Sequence, residues 1–267
     1  MRFRAWTAGA VLLVIALSAL YGQRRGGRGF FDEDEYVPDP ADKDEKTEYV
    51  FTRLRYPSYR GGSGSWGYRG SWTTDYPKAD RHFVQGVRRL TRIHVRSVEH
   101  VLDLDTDDIY NYPWIYAVEV GHWDLSDKQA AKLRDYLLRG GFLLVDDFHG
   151  SIEWEIFMSS MARVFPEHPV EDIDNKDHIL NVLYDLKDRF QVPGIVMFYT
   201  GRTYEQDGVE PRWRAIRDDK GRIVVAICHN MDLGDAWEHA DHPRYPEKYS
   251  GLAYRTAINY IIYSMTH

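Results

Sequence analysis

The chain has 267 residues, 43% of them hydrophobic and 28% charged, enough to bury a full core in one α/β domain of roughly 200 residues plus a leader. Its formal net charge is -7, and the first 28 residues hold Arg2, Arg4, Arg24, Arg25 and Arg28 but no acid, which leaves 29 basic against 41 acidic residues in the remainder. A surface that acidic repels phosphate backbones, so nucleic-acid binding is excluded. The single cysteine, Cys228, excludes an intramolecular disulfide.

Arg2 and Arg4 precede an apolar run from Ala5 to Tyr21, the layout of a secretory signal. Cleavage after Ala19 or Gly22 would leave Leu17 or Leu20 at the -3 position, so residues 1–22 read as either a signal peptide or an uncleaved membrane anchor. Arginines flank the run on both sides and do not settle its orientation. The expectation is export, to the periplasm or to an anchored position on the inner membrane. Residues 23–47, Gly/Arg-rich and then acidic, read as a flexible polar linker, and the folded domain is placed at 48–267.

Tyr49 to Tyr56 reads as a strand from its β-branched and aromatic content. Pro57 to Pro77, rich in Gly, Ser, Tyr and Trp, is long enough to be a lid or a disordered loop. Ala79, Phe83, Val87 and Leu90 share the face of a helix, and Ile93 to Val98 is read as the strand after it. Trp114 to Val120 is a third strand. Ser126 with Gln129 matches a capping box opening a helix that Gly140 and Gly141 end. Phe142 to Val145 is a continuous apolar strand of the parallel-sheet kind, followed by a helix with Ile152, Phe157, Met161 and Phe165 near one face. Ile195 to Tyr199 is read as a strand. Trp213–Arg217 and Ile223–Cys228 form a hairpin around Asp219-Lys220-Gly221, and a polar loop from Cys228 to Ser250 leads to a closing helix. The alternation predicts a doubly wound α/β fold with a mostly parallel sheet and an added hairpin in the C-terminal half.

Four polar clusters follow predicted strands: Asp75 and Tyr76 with Thr73 and Thr74; Glu119 with His122; Asp146, Asp147 and His149; and His229, Asn230, Asp232 and Asp235. Strands of a parallel sheet end at one edge, where open α/β folds bind ligands, so these clusters are expected to converge. Asp75, Tyr76, His122, Asp146, Asp147, His149, His229, Asn230, Asp232 and Asp235 are therefore the candidate ligand-binding residues. Consecutive strand residues face opposite sides, so one of Asp146 and Asp147 should serve the crevice. The choice is Asp147, with His149 on the same parity, and these two are the candidate catalytic residues. The structural alternatives for both aspartates are capping the helix that starts near Ser151 and pairing with a nearby arginine.

The histidines and acids are metal-ligand types, but neither His149 with His229, His122 with Asp124, nor His239 with His242 has a recognised ligand spacing. No cofactor or metal ligand set is assigned, and a divalent metal stands as the lesser possibility. Cys228 and His229 are adjacent on a strand end and diverge, so Cys228 reads as an apolar strand residue rather than a nucleophile. Neither a G-x-S-x-G elbow nor a phosphate-binding P-loop is present. The aromatic residues suit core and lid packing, with glycan stacking as the alternative.

The strings FTRLRY, TTDYPKADRHF, YAVEVGHWDLS, YLLRGGFLLVDDFHG, CHNMDLGDAWEHADHPRYP and YRTAINYIIYSMTH occur in this order. Together they resemble the bacterial family called domain of unknown function 4159, over about Tyr49 to His267. That resemblance implies the class I glutamine amidotransferase-like superfamily and its flavodoxin-like fold. Amidotransferases carry a catalytic cysteine in the turn that corresponds here to Val145-Asp146-Asp147-Phe148-His149-Gly150, so glutamine amidotransferase activity is not expected. Relatives are often membrane-tethered and accompany von Willebrand-type and MoxR-like ATPase proteins, which implies an envelope accessory role and an envelope protein partner. The leading expectation is an envelope domain that binds a ligand or partner at the sheet's C-terminal edge. The alternatives are a metal-assisted or carboxylate/His-based hydrolase and an envelope assembly scaffold; whether the protein is an enzyme, and its oligomeric state, stay open.

Overall fold

The computed structural model describes residues 40–58 and 71–267. Its strands are β1 (Thr52–Arg55), β2 (His100–Asp103), β3 (Trp114–Val118), β4 (Phe142–Asp146), β5 (Val170–Asp172), β6 (Arg212–Arg217) and β7 (Ile223–His229). They form one sheet in the order β2-β1-β3-β4-β7-β6-β5. The five strands from β2 to β7 run parallel, while β6 and β5 add antiparallel pairings at one end. The fold is thus α/β with a mostly parallel sheet. Its central strands β3, β4 and β7 are buried along their whole length, as their unbroken apolar runs require when both faces are covered.

Two apolar layers result. Trp114, Tyr116, Phe142 and Leu144 point to one side, against α1 (Lys78–Leu90), α5 (Leu233–Glu238) and α6 (Glu247–Thr266). Ile115, Ala117, Leu143 and Val145 point to the other, against α2 (Asp127–Leu138) and α3 (Gly150–Val164). The period-2 alternation of the strands sorts the side chains between the layers. In α1, Ala79, Phe83, Val84 and Val87 are buried, and Gly86 lets the Tyr254 ring of α6 lie where a Cβ would stand 2.3 Å from it. The capping box on α2 forms as expected, Ser126 accepting from the Gln129 N–H and Gln129 from the Ser126 N–H.

Several elements differ from expectation. Ile93–Val98 is not a strand; only Val95 bridges to Tyr49, and the partner of β1 begins at His100, whose N–H donates to Phe51 O at 2.8 Å. Ile195–Tyr199 contributes instead to a helical turn, α4 (Met197–Thr200), closed by Gly201 at φ 70°. The apolarity there serves packing, since Met197 and Phe198 lean on the core. The polar loop after Cys228 contains α5. In α3, Ile152 is 67% exposed, because the buried side runs through Gly150, Glu153, Phe157, Met161 and Val164 and leaves Ile152 on the opposite side.

Residues 1–22 and most of the predicted lid lie outside the described residues. Of the predicted linker, residues 40–47 are described, and there Asp42 accepts from the Ser97 N–H and hydroxyl at 3.0 and 2.8 Å. Among the described residues no helix is long and apolar enough to cross a membrane.

Candidate functional site

Four connections leave the C-terminal edge of the parallel strands: β1 to α1, β3 to α2, β4 to α3 and β7 to α5. Among the described residues each carries one non-glycine residue in the left-handed region, Asp75 (φ 61°), Glu119 (φ 54°), Asp147 (φ 52°) and Asn230 (φ 63°). Asp and Asn tolerate that conformation better than Glu, yet each instance still costs of order 1 kcal/mol. Strain at four adjacent turns of a single sheet edge is a signature of a functional site.

The neighbours Asp146 and Asp147 diverge: Asp146 is the last residue of β4, and Asp147 turns away from it in a left-handed conformation. Asp146 is fully buried, and its Oδ2 accepts from the Tyr116 hydroxyl at 3.1 Å and the N–H groups of Leu233 and Gly234 at 2.7 and 3.1 Å. It anchors the start of α5, although burial pushes its carboxyl up to about 7 against the pull of those donors. Asp147 instead meets Asp75 and Asp232, one oxygen from each lying within 4.8 Å of the others. Asp147 is 6% exposed and Asp232 4%, and Asp75 Oδ2 is shut off from solvent without a hydrogen-bond partner. Burial first, and neighbouring carboxylates second, raise all three well above the ordinary aspartate range.

Other acids surround this trio. Asp235 and Glu238 group with His239, and Glu119 and Glu153 with His122. His122 Nε2 lies 3.1 Å from Glu119 and 3.6 Å from Glu153; the hydrogen bond to Glu119 raises its pKa. Glu205 is pushed up to about 7 by burial and by Glu119. Bare backbone admits the carboxylates: a Cβ on Gly194 would stand 2.4 Å from Asp232 Oδ2, and one on Gly234 2.5 Å from Asp75 Oδ2.

Arg53 sets the β1–α1 connection. Fully buried, it forks onto Asp80 through Nε (2.8 Å) and Nη2 (2.5 Å), while Nη1 donates to the carbonyls of Trp72 and Thr74 at 3.0 Å. This fixes the backbone that carries Asp75.

The remaining predicted residues split by role. His149 Nε2 lies 3.2 Å from Asp147 Oδ1, its Nδ1 has no partner, and burial with His229 nearby pushes its pKa down to about 4. It is a neutral imidazole beside the trio. His229 Nε2 approaches Gly150 O at 3.0 Å, and its ring stacks on Phe148, a packing role. Asn230 is committed to backbone, accepting from the Gly150 N–H at 2.9 Å and donating to Glu210 O at 2.7 Å. Tyr76 packs on Trp72 and near Arg53. Asp235 Oδ2 accepts from the Ile195 N–H at 2.5 Å. Cys228 is fully buried, and burial pushes its thiol up.

Glu153, Glu205 and Glu238 escaped sequence reasoning. Glu153 follows His149 by one helical turn and accepts from its N–H at 2.5 Å, a spacing that offered a signal; Glu205 lies in a loop without periodicity and offered none. A surface hollow between the end of α1 and α6, lined in part by Arg89, Leu90, Ile93, Ile262 and Met265, lies at the opposite sheet edge and gathers no comparable polar cluster. Chemically, the acidic edge can attract positive charge, hold protons on carboxyls with raised pKa values, and offer a neutral imidazole as a base.

Among curated proteins none matches the chain. Residues 50–265, which span the sheet and nearly all of its helices, match the family described as Domain of unknown function (DUF4159), and the chain belongs to that family.

Proposed function

We propose that this chain is an envelope ligand-binding domain of flavodoxin-like, class I glutamine amidotransferase-like fold, with its ligand seated in the acidic crevice at the sheet's C-terminal edge. The order β2-β1-β3-β4-β7 corresponds to the 2-1-3-4-5 order of flavodoxin-like sheets, which bind ligands at that edge. Asp147, left-handed at the turn from β4 into α3, occupies the place where amidotransferases carry their cysteine. With a carboxylate there and no thiol, glutamine hydrolysis is not expected. The observation that carries the reading is the convergence of Asp75, Asp147 and Asp232 from three connections whose strain and repulsion do not serve stability. The excess of acid calls for a positive charge on the ligand or delivered with it. The leader and the family resemblance support an envelope position, with an envelope protein as partner.

A thermal-shift screen of the full chain against small amines, basic peptides, amino sugars and divalent salts tests this reading. A ligand should raise the melting temperature by several degrees, and Asp147→Asn should abolish the rise. Hits whose shift survives both Asp147→Asn and Asp232→Asn would place binding elsewhere. A second reading, a hydrolase with His149 as general base, is favoured by the neutral imidazole 3.2 Å from Asp147. It requires that His149→Ala remove a measurable ester- or peptide-cleaving activity.

A further inference from the structure

We infer that Asp75, Asp147 and Asp232 bind one hard divalent cation, of the calcium or manganese kind, at the C-terminal edge of the sheet. The inference rests on the proposed function and names what its three converging carboxylates hold. Three observations converge on it.

The first is geometry. Oxygens on opposite sides of a single Ca2+ stand roughly 5 Å apart, given Ca–O distances of about 2.3–2.6 Å. A set of three carboxylate oxygens lying within 4.8 Å of one another closes on such an ion by side-chain adjustment alone. The second is unmet demand. Asp75 Oδ2 is buried and accepts no hydrogen bond, and neither does Oδ1 of the fully buried Asp146. These two aspartates meet at Gly234, whose N–H donates to Asp146 Oδ2 and whose missing Cβ makes room for Asp75 Oδ2. Buried carboxylate oxygens without donors are costly unless a positive charge answers them.

The third is that, among the described residues, no lysine or arginine pairs with any of the three. Arg53 is spent on Asp80 and two carbonyls, His239 pairs with Asp235, and the imidazole beside Asp147 belongs to His149. The ligand atoms are all carboxylate oxygens, which select hard cations over zinc or copper. Two of the ligands are anchored: Asp232 Oδ1 accepts from the Asp235 N–H at 2.7 Å, and Asp147 is held by its turn.

The test is manganese uptake by the full-length protein after chelation and desalting, followed by the loss of the free-ion electron paramagnetic resonance signal. One Mn2+ per chain is expected, displaced by Ca2+. Asp75→Asn, Asp147→Asn and Asp232→Asn should each weaken uptake at least about tenfold, as loss of an ion's supporting groups does. Gly234→Ala should weaken it too without removing any charge, by pushing Asp75 aside, whereas Glu171→Gln on β5 should leave it unchanged. Circular dichroism of each variant separates lost uptake from lost folding. No uptake by the parent protein, or uptake that survives all three aspartate substitutions, overturns the cation site. If uptake fails while an organic amine still gives a shift abolished by Asp147→Asn, only this inference falls. If both fail, the crevice reading falls with it.

Discussion

Arg53, fully buried on β1, is paired with a carboxylate of opposite charge. Its guanidinium answers Asp80 bidentately and spends its remaining donors on backbone carbonyls, the arrangement in which a buried pair is tolerated. Among the described residues, Asp75, Asp147 and Asp232 have no lysine or arginine hydrogen-bonded to them in this way. Arg53→Met should leave Asp80 buried and unpaired and cost about 3–5 kcal/mol in urea unfolding; a loss below about 1 kcal/mol, the range of an exposed pair, would contradict the role assigned to it. At this scale the sequence was partly legible. Strand parity leads to the expectation that Asp146 and Asp147 diverge, which they do, though through the left-handed turn at Asp147, and strand-end position puts Asp75 and Asp232 among ten candidates. Nothing local marked Arg53, whose place between Thr52 and Leu54 looks like that of an ordinary solvated strand residue until α1 and the loop carrying Asp75 close over it.

Elements were legible where one local rule sufficed. Periodicity located α1, the capping box located α2, and unbroken apolar runs located β3 and β4. The rules failed where tertiary contact decides. Ile195–Tyr199 is apolar like a strand but is boxed between Pro193-Gly194 and a left-handed Gly201, leaving room for one helical turn. The helix α5 is short and polar at its start, and it depends on a residue from another element: Asp146, at the end of β4, accepts both Leu233 and Gly234 N–H groups. Asp146→Ala should therefore strand those donors and the Tyr116 hydroxyl, costing about 1–3 kcal/mol for a buried group left unsatisfied. Hydrogen exchange should show the amides of Leu233–Glu238 losing protection before the sheet does. Loss spread evenly over β3, β4 and β7 would mean that Asp146 supports the sheet rather than the helix.

Across the whole molecule, two sets of buried groups oppose each other in pH. His149 and His229, pushed down to about 4 from 6.5 by burial, give stability that is full above about 6.5 and lost as pH falls toward 4. Asp75, Asp147 and Asp232 are raised above 3.8 by burial and mutual repulsion, so their contribution is most favourable below 3.8 and is lost as pH rises through their elevated values. An edge that carries strain, repulsion and unanswered oxygens at once is organised for something other than stability. Comparing a variant with its parent cancels the contribution of His229, and the trend toward pH 8, above the range in which His149 titrates, reports the acid. The most direct measurement is the melting temperature of Asp147→Asn against the parent, both chelator-treated, from pH 4 to pH 8. The account predicts near-equal melting at pH 4 and a variant increasingly more stable than the parent toward pH 8. A variant that melts below its parent across that range would show Asp147 to be a structural residue, and would contradict the site.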